Sequence, residues 1–183
     1  MEKITYNDLE KKVLSYMPFD VRKLRRAYEY ASRYHQNQTR ASGEPYIIHP
    51  LNIAYILAGM QADVDTIMAS LLHDVVEDTE STLDDIEKKF NKTVRDLVDG
   101  VTKMTKLDLR SKKELSAVNI RRIIVSLARD PRIIIIKLVD RLHNMRTLEY
   151  KSEKKQQEKS LETLEIYVPL AYYIGASKIK DEL

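Results

Sequence analysis

A chain of 183 residues is long enough to bury one hydrophobic core and short enough to form a single domain. Four glycines, five prolines and little alternation of polar with apolar residues predict an all-α fold, and the lack of cysteine excludes disulfides and thiolate metal ligands. Basic and acidic residues nearly balance, 31 against 28, so the formal charge of +3 and a pI near 8.9 give little reason to expect a nucleic-acid partner.

The N-terminus is charged and no apolar run approaches the ~20 residues of a membrane span, so a cytoplasmic protein without a membrane partner is expected. Tyr6 to Tyr16 reads as a short helix that ends before Pro18. Asp20 can cap a second helix, with Val21, Leu24, Ala27, Tyr28, Ala31 and Tyr34 at helical spacing. Ser42-Gly43-Glu44-Pro45 breaks that pattern as a loop, and Pro50 in a first turn opens a helix through about Leu57.

Asp63 can cap the next helix, which turns Ile67, Leu71, Leu72 and Val75 inward and carries His73 and Asp74. Ser81 or Thr82 starts a short helix that ends near Phe90, and another is expected from about Thr93 to Val101. Thr102 to Lys113 is polar and basic and reads as a mobile loop, followed by a helix over Glu114 to Ala128. The β-branched run Ile133 to Ile136 favours strands, but no second strand could pair with it, so helix is predicted through Leu148. A last long helix spans Glu153 to Ile174, with a kink at Pro169.

The chemistry concentrates in two acidic clusters, His73-Asp74-Val75-Val76-Glu77-Asp78 and Val139-Asp140-Arg141-Leu142-His143-Asn144, with His49 upstream. Adjacent side chains on a helix diverge by roughly 100°, yet His73 and Asp74 can both reach a cation off the helix flank. Glu77 returns to the face of His73 and Asp78 to that of Asp74, so ligands and spare carboxylates would share one wall.

A single helical histidine is more often structural than a ligand, and His143 is read as structural or as a support behind the ligands. His49 and His73 escape that reading because nearby carboxylates complete a mixed N and O donor set, which suits Mn²⁺ and also admits Fe²⁺, Zn²⁺ or Mg²⁺. Asp140 lies among apolar Leu138, Val139 and Leu142, where an unpaired carboxylate is costly. It needs a cation, or in the plainer alternative a salt bridge to Arg141 or Arg146.

Glu77 and Asp78 could simply end a helix, but carboxylates at the negative end of its dipole are disfavoured, which invites a functional account. A carboxylate beside a divalent ion can orient water or take its proton, the combination that hydrolyses phosphate esters and anhydrides. Asp140, Asn144 and Thr147 fall on one helical face, and Arg40, Ser42 and the amides around Gly43 stand just before His49. Lys103, Lys106 and Arg110 could meet a polyphosphate or form an ordinary solvated face; the mixed run Lys151 to Lys159 reads as solvated helix surface.

Three blocks in order carry a resemblance: Ser42-Gly43-Glu44-Pro45-Tyr46-Ile47-Ile48-His49-Pro50, Leu71 to Thr79, and Lys137 to Leu148, with Gly100-Val101-Thr102-Lys103 between the last two. They resemble the hydrolase domain of the RelA/SpoT homologues, enzymes that make and degrade guanosine tetra- and pentaphosphate. The resemblance runs from about Asp20 to the end of the chain. It implies an all-α, metal-dependent phosphohydrolase of the HD superfamily with one Mn²⁺, in a single domain over 1–183: an N-terminal helix over about 1–19, a core over 20–174 and a tail over 175–183.

By the same resemblance His49, His73, Asp74 and Asp140 are the metal ligands, and Glu77 and Asp78 activate water. Arg40 and Ser42 hold the nucleotide, with Asn144 and Thr147 also lining its pocket. The implied reaction removes the 3′-pyrophosphate of the guanosine tetra- or pentaphosphate, giving GDP or GTP plus pyrophosphate.

Three positions depart from the family pattern: Ala41 stands where Lys is common, Asn37 where Gly is usual, and Val139 where Ala is usual. Ala41 removes one base or phosphate contact, while no departure removes a ligand. The ending Ser177 to Leu183 resembles the connection into the synthetase domain of long members, and a stand-alone hydrolase is expected over an excised front domain. Alternatives are an HD phosphohydrolase for another nucleotide, disfavoured by the Ser-Gly-Glu-Pro-Tyr and Arg-Leu-His-Asn-Met-Arg blocks, and a non-catalytic alarmone sensor, disfavoured by the intact ligand set. Neither oligomeric state nor the metal used in the cell is legible.

Overall fold

The computed structural model describes residues 4–110 and 130–183, with side chains of 105–110 outside the description. The fold is all-α as the composition predicts, and among the described residues the only β feature is an isolated bridge between Thr39 and Pro45. No described helix is long and apolar enough to cross a membrane. The chain packs as two compact units, Met1–Thr102 and Lys103–Leu183.

In the first unit α1 (Tyr6–Leu14) opens on a capping box. The Asp8 amide donates to the Thr5 hydroxyl, and the Thr5 amide donates to the Asp8 carboxylate at 2.9 Å. Asp20 caps α2 (Val21–Tyr34), whose Leu24, Ala27 and Ala31 line up on the buried face. The next helix, α3 (Ile48–Gly59), is apolar nearly all round, as a helix packed on several sides must be. It lies against α1 and against α4 (Val64–Leu72), and α2 covers α4 from another side. Leu9, Val13, Leu24, Ile53, Leu57, Ile67 and Leu71 fill the space between them.

Asp63 caps α4 as expected, its carboxylate accepting from the Thr66 amide at 3.0 Å. The helix does not run on through the acidic cluster, however. It stops at Leu72, and a new short helix α5 (Val75–Asp78) starts from Asp74, whose carbonyl accepts from the Glu77 and Asp78 amides. His73 and Asp74 therefore occupy the joint between two helices. Thr82 rather than Ser81 caps α6 (Leu83–Lys89), in a capping box with Asp85.

The helix expected to end at Val101 continues as α7 (Lys92–Arg110), which corrects the predicted loop over Thr102 to Arg110. The reason is a stripe of buried Val94, Leu97, Val98, Val101 and Met104 at three- and four-residue steps, with no Gly or Pro after Gly100 to stop it. Lys103, Lys106 and Arg110 thus ride on a helix. The remainder of the predicted loop and the helix expected over Glu114 to Ala128 lie outside the described residues.

In the second unit α8 (Pro131–Arg146) is capped by Asp130, with Pro131 at its first position. The isoleucine run is helical because Ile133, Ile134 and Ile136 join Leu138, Val139 and Leu142 in the interior, where burial outweighs a weak β preference. A 3₁₀ turn (Leu148–Tyr150) leads to α9 (Glu153–Glu162), a π-helical turn (Thr163–Tyr167) and α10 (Val168–Tyr173).

That π turn is the form the kink at Pro169 takes. Proline has no N–H for the carbonyl one turn back, and its ring crowds that carbonyl, so the preceding turn widens. Gly175, at φ +74°, reverses the chain into α11 (Ser177–Glu182), so the predicted tail is helical, with Ile179 buried and α11 packed on α8.

Candidate metal centre and phosphate pocket

The first unit assembles its site from the loop before α3 and the joint between α4 and α5. In the loop, Gly43 takes φ +83°, a conformation that costs glycine little. The Arg40 amide donates to the Glu44 carbonyl and the Gly43 amide to the Arg40 carbonyl, both at 2.9 Å. The Tyr46 amide then donates to the Gln38 carbonyl at 3.0 Å, so the chain enters α3 with Tyr46 and His49 near each other, ring centroids 6.0 Å apart.

His49 and His73 are both buried, with ring centroids 5.7 Å apart and a nitrogen of each within 4.8 Å of the other. His73 Nδ1 lies 2.8 Å from the Ser70 carbonyl, an oxygen that can only accept, so Nδ1 carries the proton. Nε2 is buried and finds no hydrogen-bond partner among the described residues. It stands 3.1 Å from Asp74 Oδ1, and His49 Nε2 stands 3.8 Å from Asp74 Oδ2. An N/O donor set, one imidazole oriented by its backbone acceptor and an unsatisfied buried nitrogen together fit a divalent metal ion.

Around this cluster stand residues that sequence reasoning passed over. The Tyr46 hydroxyl reaches both Asp74 Oδ2, at 2.7 Å, and Asp78 Oδ2, at 3.2 Å. His35 stacks on the Tyr46 ring with centroids 4.6 Å apart, and its Nδ1 meets Gln38 Oε1 at 2.7 Å. Gln38 in turn donates to the Asp78 carbonyl at 3.1 Å. The available signal for Tyr46 was its place three residues before His49. Loss of hydration raises the Asp78 carboxyl above its ordinary range, and the nearby Asp74 charge adds to the effect.

Glu77 lies on the exposed side of α5. Arg40 and Ser42 lie half-exposed in the loop, where the Ser42 hydroxyl donates to Glu44 at 3.3 Å. Thus the structure brings His49, His73, Asp74 and Asp78 together around Tyr46.

The second unit holds Asp140, Asn144 and Thr147 on α8. Asp140 is buried and bonded to Lys137 Nζ at 2.9 Å and to Asn144 Nδ2 at 2.7 Å. The plainer alternative, a salt bridge to Arg141 or Arg146, is not formed: Arg141 pairs with Glu162 at 2.9 Å and Arg146 with Glu182. Lys137 answers Asp140 instead, because residues three apart share a helix face. Thr147 caps α8 and donates to the His143 carbonyl at 3.1 Å, and His143 is buried in that helix as the structural reading expected.

A cavity of about 260 Å³ opens beside Asp140 and Asn144. Lys137, Arg141, Lys151 and Lys159 line it against Asp140 and Glu162, a positive excess suited to an anion. Lys151 to Lys159 is exposed except for Gln156, as a solvated surface should be, and Lys151 and Lys159 also border this cavity. Glu162 ties Lys159, at 2.6 Å, to Arg141, whose guanidinium lies over the Tyr167 ring at 4.0 Å.

An all-helical chain with a His-Asp step at a helix joint, oriented against a second histidine, belongs to the HD domain family, whose profile matches residues 27–176. Within it the chain stands with RelA/SpoT-type enzymes. It is 49% identical over 179 residues to the bifunctional (p)ppGpp synthase/hydrolase SpoT of Escherichia coli K12, covering 97% of this chain and 26% of that protein. It is 47% identical over 176 residues to the guanosine-3′,5′-bis(diphosphate) 3′-pyrophosphohydrolase of Aquifex aeolicus, covering 96% of this chain and 25% of the relative. A solved structure titled as a metazoan ortholog of SpoT that hydrolyses ppGpp matches with TM-score 0.66 and 29% identity, covering 84% of this chain and 88% of that one. The chain spans about a quarter of the length of these two curated relatives.

Proposed function

We propose that this chain is a metal-dependent pyrophosphohydrolase that removes the 3′-pyrophosphate from guanosine 3′,5′-bis(diphosphate) and from its pentaphosphate form, leaving GDP or GTP. The observation that carries the reading is His73: a buried imidazole whose Nδ1 is committed to the Ser70 carbonyl and whose Nε2, without a hydrogen bond, stands 3.1 Å from Asp74. The names of the relatives support the substrate, since two of them are hydrolases of this alarmone or its synthase/hydrolase.

In this reading His49, His73, Asp74 and Asp140 hold one divalent cation, Mn²⁺ by the balance of imidazole and carboxylate donors. Such a cation supplies Lewis acidity toward water and phosphate oxygen. Glu77 and Asp78 orient the attacking water and accept its proton. Hydrolysis delivers hydroxide to the pyrophosphate and a proton to the ribose 3′-oxygen, so the nucleotide leaves with a free 3′-hydroxyl.

Arg40 and Ser42 hold the guanine nucleotide, and Asn144 and Thr147 line its pocket. The cationic side chains of the second-unit cavity support a polyphosphate, because Lys137, Arg141, Lys151 and Lys159 outnumber the two acids beside them.

The test is incubation of guanosine tetraphosphate with metal-stripped protein and then with added Mn²⁺, following both pyrophosphate and GDP. Release that begins only with the metal is expected, and guanosine 3′-monophosphate should be inert. Failure to release pyrophosphate with Mn²⁺, Fe²⁺, Zn²⁺ or Mg²⁺ overturns the reading.

A further inference from the structure

We infer that Tyr46 is a positioning residue, whose hydroxyl sets the Asp74 and Asp78 carboxylates relative to each other before substrate arrives; the inference rests on Asp74 being a metal ligand as proposed above. One phenol oxygen lies within hydrogen-bond reach of a carboxylate at the start of α5 and of another at its end. The shorter contact, 2.7 Å to Asp74 Oδ2, engages that oxygen and leaves Oδ1 as the one beside His73 Nε2. A carboxylate fixed in this way presents one oxygen to a cation without first losing rotational freedom.

The tyrosine is itself held in place from several directions. Its ring stacks on buried His35, its amide bonds the Gln38 carbonyl, and Gln38 bridges His35 Nδ1 to the Asp78 carbonyl. The segment from His35 to Tyr46 therefore grips α5 twice, once at the backbone of Asp78 and once at its side chain. A tyrosine that served only to fill space would need neither contact. Nor would its hydroxyl need to reach two acids on the same helix.

Tyr46→Phe keeps the stacked ring and deletes only the donor. Binding of Mn²⁺ without substrate, followed by electron paramagnetic resonance of the free ion, should weaken by about 10- to 100-fold, the range for groups that orient metal ligands. In turnover at saturating Mn²⁺, kcat should fall while KM for guanosine tetraphosphate changes less than about twofold. Circular dichroism at the titration temperature confirms that the variant examined is folded. Mn²⁺ affinity and kcat both equal to the parent's in folded Tyr46→Phe would overturn the inference, and so would a change confined to KM. Because the metal titration needs no substrate, it decides the role of Tyr46 even if the parent protein proves inactive on the alarmone.

Discussion

Two polar clusters, one in each unit, solve the problem of buried charge in opposite ways. On α8 and α9 the acids that leave the solvent meet bases: Asp140 binds Lys137, and Glu162 binds Arg141 and Lys159. At the joint of α4 and α5 two carboxylates gather about one phenol hydroxyl, and His73 Nε2 stands 3.1 Å from the nearer of them. A buried charge is costly without a partner: the acids of the first cluster have bases within reach, whereas the second gathers imidazole and carboxylate donors, the mixture a divalent cation takes. The comparison teaches that burial of charged residues alone does not reveal a site. What matters is whether the partners cancel.

The sharpest break in that contrast is Asp74→Ala, which removes the acid at the centre of the second cluster. Metal-dependent pyrophosphate release should be abolished in a stopped-time assay, with the melting temperature held or raised because repulsion is relieved. Next is Glu77→Gln, which spares the ligands and should cut kcat by roughly 10²- to 10⁴-fold, the usual contribution of a general base; metal affinity, read by titration, should hold.

On the other side of the comparison, Arg141→Met leaves Glu162 with Lys159 alone and should destabilise the fold by about 1–3 kcal/mol in urea titration. Lys159→Ala removes one cavity cation and should raise KM for the tetraphosphate roughly fivefold with kcat little changed, an effect that shrinks as salt is added.

The smallest expected effect is one of pH. Burial by itself would raise Glu162, but the Lys159 hydrogen bond and the Arg141 charge hold its pKa below the ordinary 4.5. A depressed carboxyl contributes stability that is present above its unfolded pKa and is lost as pH falls through the folded one. Thermal melts from pH 6 down to 3 should therefore fall less steeply for Glu162→Gln than for the parent; parallel slopes would show that the pair contributes nothing to acid sensitivity.

Much of this was legible in order along the chain. Helix caps at Asp20 and Asp63 were readable because a capping carboxylate acts on amides two or three residues away. The His-Asp step and the return of Asp78 to Asp74 were readable for the same reason. The extension of α7 was missed by giving polarity more weight than the stripe that ends at Met104.

Local chemistry was thus enough to assign the helical class, and the order of three motif blocks the family, since both depend on residue types along the chain. Packing alone decided that α4 breaks at His73 and that Tyr46 meets two acids some thirty residues further on. The physical reason is reach: a side chain's partner across the core is set by how helices pack, and no local period encodes it.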